Sequence, residues 1–151
     1  MVLTFNDEGV LPEGIYEMTL DEFKKAFVYN ERREGIFKGF CTLLDDLRAI
    51  NGKVVYIDGS FVTDKEKPGD IDVCWEDDDD INWELLDSDY PIFFDMDPPR
   101  EAQQLRYHAD VFPANTYEGG SGLLFKDFFQ QNKETGNAKG IIKINIGYDK
   151  E

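Results

Sequence analysis

A chain of 151 residues and 17.4 kDa is long enough for one packed core and short for two, so it reads as a single domain spanning 1–151. Hydrophobic residues make up 41% and aromatics 14%, which excludes a disordered chain; a formal net charge of -16 disfavours nucleic-acid phosphates and anionic membranes as partners and favours cations. No apolar stretch reaches the ~18 residues of a membrane span, and the N-terminus has no basic segment followed by a long apolar one, so a soluble, cytoplasmic protein is expected.

After an arm that ends in Leu11-Pro12-Glu13-Gly14, the stretch TLDEFKKAF offers Thr19 as an N-cap with Glu22 three residues on, and Phe23 and Phe27 four apart behind it. A first helix starts there. A second is carried by Ile36, Phe37, Phe40, Leu43, Leu44 and Leu47, which leaves Asp45, Asp46 and Arg48 outward and stops at Asn51-Gly52. KVVYI at 53–57 is a short β-branched run between Gly52 and Gly59, a buried strand. DIDVCW at 70–75 alternates after the turn signal Pro68-Gly69 and pairs with it. The acidic run Asp77 to Asp80 lacks the spacing of a calcium loop and reads as a solvated connection.

Residues 81–105 hold a short helix at INWELL, then a proline-containing segment and the polar stretch PPREAQQL, both read as excursions outside the core. RYHADVF at 106–112 alternates, which predicts a third strand with His108, Asp110 and Phe112 on one face and Tyr107, Ala109 and Val111 on the other. LLFKDFF at 123–129 has helical spacing, so Phe125, Phe128 and Phe129 are core rather than a platform for stacking bases. GIIKINIG at 140–147 closes the chain with a strand in which Ile142, Ile144 and Ile146 alternate. This order predicts an α+β fold. Cys41 and Cys74 read as buried free thiols, Trp75 and Trp83 as core and loop packing, and His108 as a hydrogen-bonded structural residue.

One pattern resists a packing explanation. Asp70 and Asp72 leave the same face of a strand with their Cα atoms about 6.5 to 7 Å apart. Carboxylates held that close repel, so a positive group belongs between them, and a divalent cation, or two of them ~3.5 to 4 Å apart, matches the spacing. Asp110, between Ala109 and Val111 on another alternating strand, is a third acid placed against packing logic. Gly59 lets a phosphate approach the backbone, and Ser60 supplies a hydroxyl and an amide N–H for its oxygens. Together these residues point to metal-assisted phosphoryl or nucleotidyl transfer.

The pair GS, nine residues, then DID, with a later strand aspartate, resembles the nucleotidyltransferase superfamily typified by DNA polymerase β. GVLPEG, YIDGSFVT, YHADVFPA and KGIIKINI together resemble an uncharacterised bacterial and phage branch of it, and the small size resembles the minimal nucleotidyltransferases, some of which act in toxin and antitoxin pairs. The resemblance implies a mixed β-sheet with helices packed against it. It gives Gly59 and Ser60 to the phosphates of an NTP, Asp70 and Asp72 to Mg²⁺, and Asp110 to the roles of third metal ligand and helper of the base. The activity implied is transfer of a nucleoside monophosphate from an NTP to a hydroxyl. The acidic balance favours a protein or a small molecule over nucleic acid as acceptor. Lys65, Lys67, Lys126 and Lys143 are the lysines available to steady pyrophosphate, each more simply read as solvated. The sequence departs from the superfamily in two respects: FVTDKEKPG allows at most one helical turn after the GS pair, and no substrate-recognition domain follows Asp110. The competing reading is a non-catalytic interaction protein of the same fold, an antitoxin or phage-encoded inhibitor whose acidic surface meets a basic protein partner.

Overall fold

Thr19 and Glu22 form the reciprocal cap expected of them: the Glu22 N–H donates to Thr19 Oγ1 at 3.1 Å and the Thr19 N–H to Glu22 Oε1 at 2.9 Å. In the computed structural model, which describes residues 4–132 and 135–147, this cap opens helix α1 (Leu20–Phe27), followed by α2 (Glu31–Ala49). Asn51, at φ 67, ends α2, and the Gly52 N–H returns to the Leu47 carbonyl at 2.7 Å. The remaining elements are β1 (Gly14–Met18), β2 (Val54–Asp58), β3 (Ile71–Trp75), α3 (Trp83–Asp89), α4 (Glu101–Tyr107), β4 (Ala109–Pro113), the single turn α5 (Phe125–Phe128) and β5 (Gly140–Asn145).

The five strands form one mixed sheet in the order β1-β5-β2-β3-β4. β1 runs parallel to β5 and β4 to β3, whereas β2 is antiparallel to both of its neighbours. Helices pack on this sheet, so the fold is α+β with a mixed sheet. Alternation sends Val55, Ile57, Ile71, Val73, Ala109, Val111, Ile142 and Ile144 to one face, where they meet Phe23, Phe27, Phe40, Leu43, Leu44 and Leu47 of α1 and α2. The opposite face has a smaller apolar cluster, Tyr56, Cys74, Ile141, Phe125 and Phe129, with Phe112 packed against it. The Phe125 and Phe129 rings lie 4.8 and 5.3 Å from that of Phe112, so these phenylalanines are core. Cys74 is buried, Cys41 only partly. Trp75 is buried and Trp83 is 43% exposed at the start of α3.

Several sequence expectations need correction. The proline-containing segment is no excursion, since its Phe93 is fully buried in the core. Residues 14–18 of the opening arm form β1, an edge strand whose Ile15 faces solvent at 51% exposure, which hides its alternation. The polar stretch before the third strand is helix α4, and it runs through Tyr107, so the strand begins at Ala109 rather than 106. His108 therefore lies between helix and strand, exposed, at φ 54. Finally, Asp46 does not face outward: it is 7% exposed and accepts from Arg106 Nε at 2.7 Å, Arg106 Nη2 at 3.0 Å and the Tyr107 hydroxyl at 2.7 Å. This brace ties α4 to α2, which approach so closely that a Cβ on Gly39 would stand 2.4 Å from the Tyr107 carbonyl oxygen.

α4 also closes the outer edge of the sheet. The Val111 N–H of β4 donates to Gln103 Oε1 at 2.9 Å and the Val111 carbonyl accepts from Arg100 Nη1 at 3.0 Å. Side chains thus occupy hydrogen-bonding positions that another strand would otherwise take. Among the described residues no helix is long and apolar enough to cross a membrane.

Candidate metal centre

Register builds the site. Asp58, the last residue of β2, is the pairing partner of Asp72 on β3, and Asp72 is the partner of Asp110 on β4. Three carboxylates therefore stand in a row across adjacent strands, about 4.7 to 5.5 Å apart at their backbones. They rise from the face that also carries Tyr56, Cys74 and Phe112. Asp70 precedes β3 and completes the group, so that one carboxylate oxygen from each of Asp70, Asp72 and Asp110 lies within 4.8 Å of the others. All three residues are half-buried. Such a set of hard oxygen donors is able to hold a metal ion.

Among the described residues, Gln104 and Lys139 meet the carboxylates. Gln104, on the inner side of α4, donates from Nε2 to Asp70 Oδ2 at 2.9 Å and to Asp110 Oδ1 at 2.8 Å, spanning two of the acids with one amide. Lys139 places Nζ 2.7 Å from Asp58 Oδ1, in a pair whose side chains are 12% and 6% exposed. Asp58 is thus committed to a buried ion pair beside the other three acids.

The turn after β2 is shaped by the same acids. Gly59 has φ 86, and a Cβ there would stand 2.7 Å from Asp72 Oδ2, so only glycine brings the backbone against that carboxylate. Ser60 to Val62 make the single helical turn anticipated, one 3-10 turn. It is held from behind by Arg33, fully buried, whose Nη1 donates to the carbonyls of Phe27 and Phe61 at 3.0 and 2.6 Å and whose Nη2 donates to those of Thr63 and Lys65 at 3.1 and 2.5 Å. Burial lowers the pKa of this guanidinium, and its carbonyl partners accept its hydrogen bonds in place of water.

The structure brings together Asp70, Asp72 and Asp110, and sets Gly59 against Asp72. The lysines chosen from the sequence form no ion pair with them: Lys65 and Lys67 are exposed, Lys126 has no carboxylate partner among the described residues, and Lys143 Nζ is 3.7 Å from Glu17 Oε2. His108 is exposed at the end of α4 rather than on the face of Asp110. Asp58, Gln104, Lys139 and Arg100 were not singled out. For Asp58 a signal existed, since pairing the two strands in register places it opposite Asp72; the other three depend on tertiary packing.

The match of a family model extends over residues 3–145. The chain belongs to a family of unknown function, DUF6932. No curated protein and no solved structure matches it. The DUF6932 match covers every residue of the acidic site, from Asp58 to Lys139.

Proposed function

We propose that the chain is a Mg²⁺-dependent nucleotidyltransferase that moves a nucleoside monophosphate from an NTP to a hydroxyl of a protein or a small molecule. The observation that carries this reading is the gathering of Asp70, Asp72 and Asp110 within 4.8 Å beside a glycine turn that abuts one of them. Asp70, Asp72 and Asp110 would hold the metal. When bound, Mg²⁺ supplies charge neutralisation at the phosphates and a lowered pKa at a coordinated hydroxyl.

The chain's own groups account for the rest. Phosphate oxygens would be met by donors of the turn that follows β2, the backbone N–H groups of Gly59 and Ser60 and the Ser60 hydroxyl. Asp110 assists removal of the proton from the acceptor hydroxyl, whose oxygen attacks the α-phosphorus; the α–β bridging P–O bond breaks and pyrophosphate leaves with its electron pair. A net charge of -16 disfavours a nucleic-acid acceptor. The same charge supports the second reading, a non-catalytic member of the fold that binds a basic protein.

Isothermal titration with ATP, GTP, CTP and UTP, each with and without Mg²⁺, separates the two. The nucleotidyltransferase reading expects Mg²⁺-dependent binding of at least one NTP, lost in Asp72→Asn with the thermal midpoint unchanged or raised because a repulsion is relieved. Binding to none of them, or binding indifferent to the substitution, overturns it in favour of the partner-binding reading.

A further inference from the structure

Arg100 is a cation buried next to the acidic row. It is 9% exposed, its guanidinium lies over the Phe112 ring at 4.1 Å from the centroid, and Nη1 donates to Gln103 Oε1 at 3.2 Å and to the Val111 carbonyl at 3.0 Å. Both acceptors are neutral. Among the described residues no carboxylate forms a direct ion pair with Arg100. Burying a guanidinium without a touching counter-charge is costly, and a neutral amide would serve the Val111 carbonyl as well.

The surroundings indicate what the charge is for. Burial lowers the pKa of the guanidinium, and Asp110 followed by Asp72 raises it back, so the acids of the site are the charges it feels most. Phe112 and Asp110 are two residues apart on one face of β4, their Cα atoms about 7 Å apart, so the ring that carries the guanidinium shares its face of the strand with the Asp110 carboxylate. Ring and backbone fix the guanidinium plane, while Nε and Nη2 have no protein acceptor among the described residues. A fixed, largely buried cation whose remaining donor edge has no protein acceptor among the described residues, next to carboxylates able to hold a metal, is the complement of a phosphate chain.

We propose that Arg100 is a phosphate-binding residue of this site, donating from its Nε and Nη2 edge to the polyphosphate of the bound nucleotide. The assignment rests on the nucleotidyltransferase reading and deepens it. It also accounts for an arginine, rather than a second neutral amide, beside Gln103 at this sheet edge.

Arg100→Gln keeps a donor for the Val111 carbonyl and removes the charge. Titrations with Mn²⁺ alone, with tripolyphosphate plus Mg²⁺, and with ATP plus Mg²⁺ read the two halves of the site separately. Mn²⁺ affinity is expected to stay level or rise, since a positive charge has been taken from its neighbourhood, while tripolyphosphate and ATP each weaken about tenfold or more. Arg100→Lys recovers part of that loss. Equal weakening of Mn²⁺ and polyphosphate with a lowered thermal midpoint shows a purely structural arginine and overturns the proposal, as does unchanged polyphosphate affinity. If the unsubstituted chain binds no Mn²⁺, the nucleotidyltransferase reading itself fails, and the role of Arg100 with it.

Discussion

Gly59 does two things that no other residue does in its place. Its φ of 86 lies in the left-handed region, and the space where a Cβ would go is filled by the Asp72 carboxylate at 2.7 Å. Asp72 cannot retreat freely, because its backbone is paired on both sides, with β2 and β4. Gly59→Ala is therefore expected to destabilise the fold by about 1 to 3 kcal/mol through backbone strain and to displace the carboxylate, weakening Mn²⁺ binding as well. Urea unfolding and metal titration on one preparation check both. A variant with full stability and full metal affinity would show that the turn is loose and that the glycine is not needed.

Between elements, the contact to test is Asp46 with Arg106 and Tyr107, which locks α4 onto α2 and so sets where Gln104 and Arg100 stand. Its members are unequal. The Asp46 and Arg106 side chains are 10% and 49% exposed, whereas Tyr107 is fully buried. Asp46→Ala strands the Tyr107 hydroxyl without its acceptor and should cost about 2 to 4 kcal/mol, while Arg106→Ala, losing a half-solvated partner, should cost under about 1 kcal/mol. Urea midpoints rank them, and the reverse order would place the weight of the brace on the surface pair. The same helix shows why part of the molecule was illegible in the sequence. α1, α2, β2 and β3 announce themselves because their buried positions are apolar and recur at the period of their element. In α4 the buried positions are Gln103 and Tyr107, satisfied by hydrogen bonds that exist only in the folded chain, so the segment looks like a polar loop. The three clustered aspartates were legible for the opposite reason, as charges set among residues that should pack. Lys139, Gln104 and Arg100 carry no such contrast in their own neighbourhoods.

For the whole molecule, burial of proton-holding groups predicts the response to base. Desolvation, and then the hydrogen bond to Glu76, push the Tyr56 phenol up from 10.0 to about 12, and burial likewise raises Cys74 above its usual 9.0 and Tyr107 above 10.0. The folded chain keeps protons that the unfolded chain releases, so this contribution is intact below about pH 9 and is lost as pH climbs toward 12. Tryptophan fluorescence followed from pH 8 to 12 should report cooperative unfolding in that window, with a shallower pH dependence in Tyr56→Phe. An unchanged slope would place the alkaline transition on other groups.

The sheet order carries a consequence in time. β2, β3 and β4 are consecutive in the chain and bring Asp58, Asp72 and Asp110 into line by themselves, whereas β1 cannot take its place until β5 has been laid between it and β2. Lys139, just ahead of β5, reaches Asp58 only with that strand. The row of carboxylates is therefore aligned by one stretch of chain and neutralised from another, so its charge is balanced only when the two stretches meet.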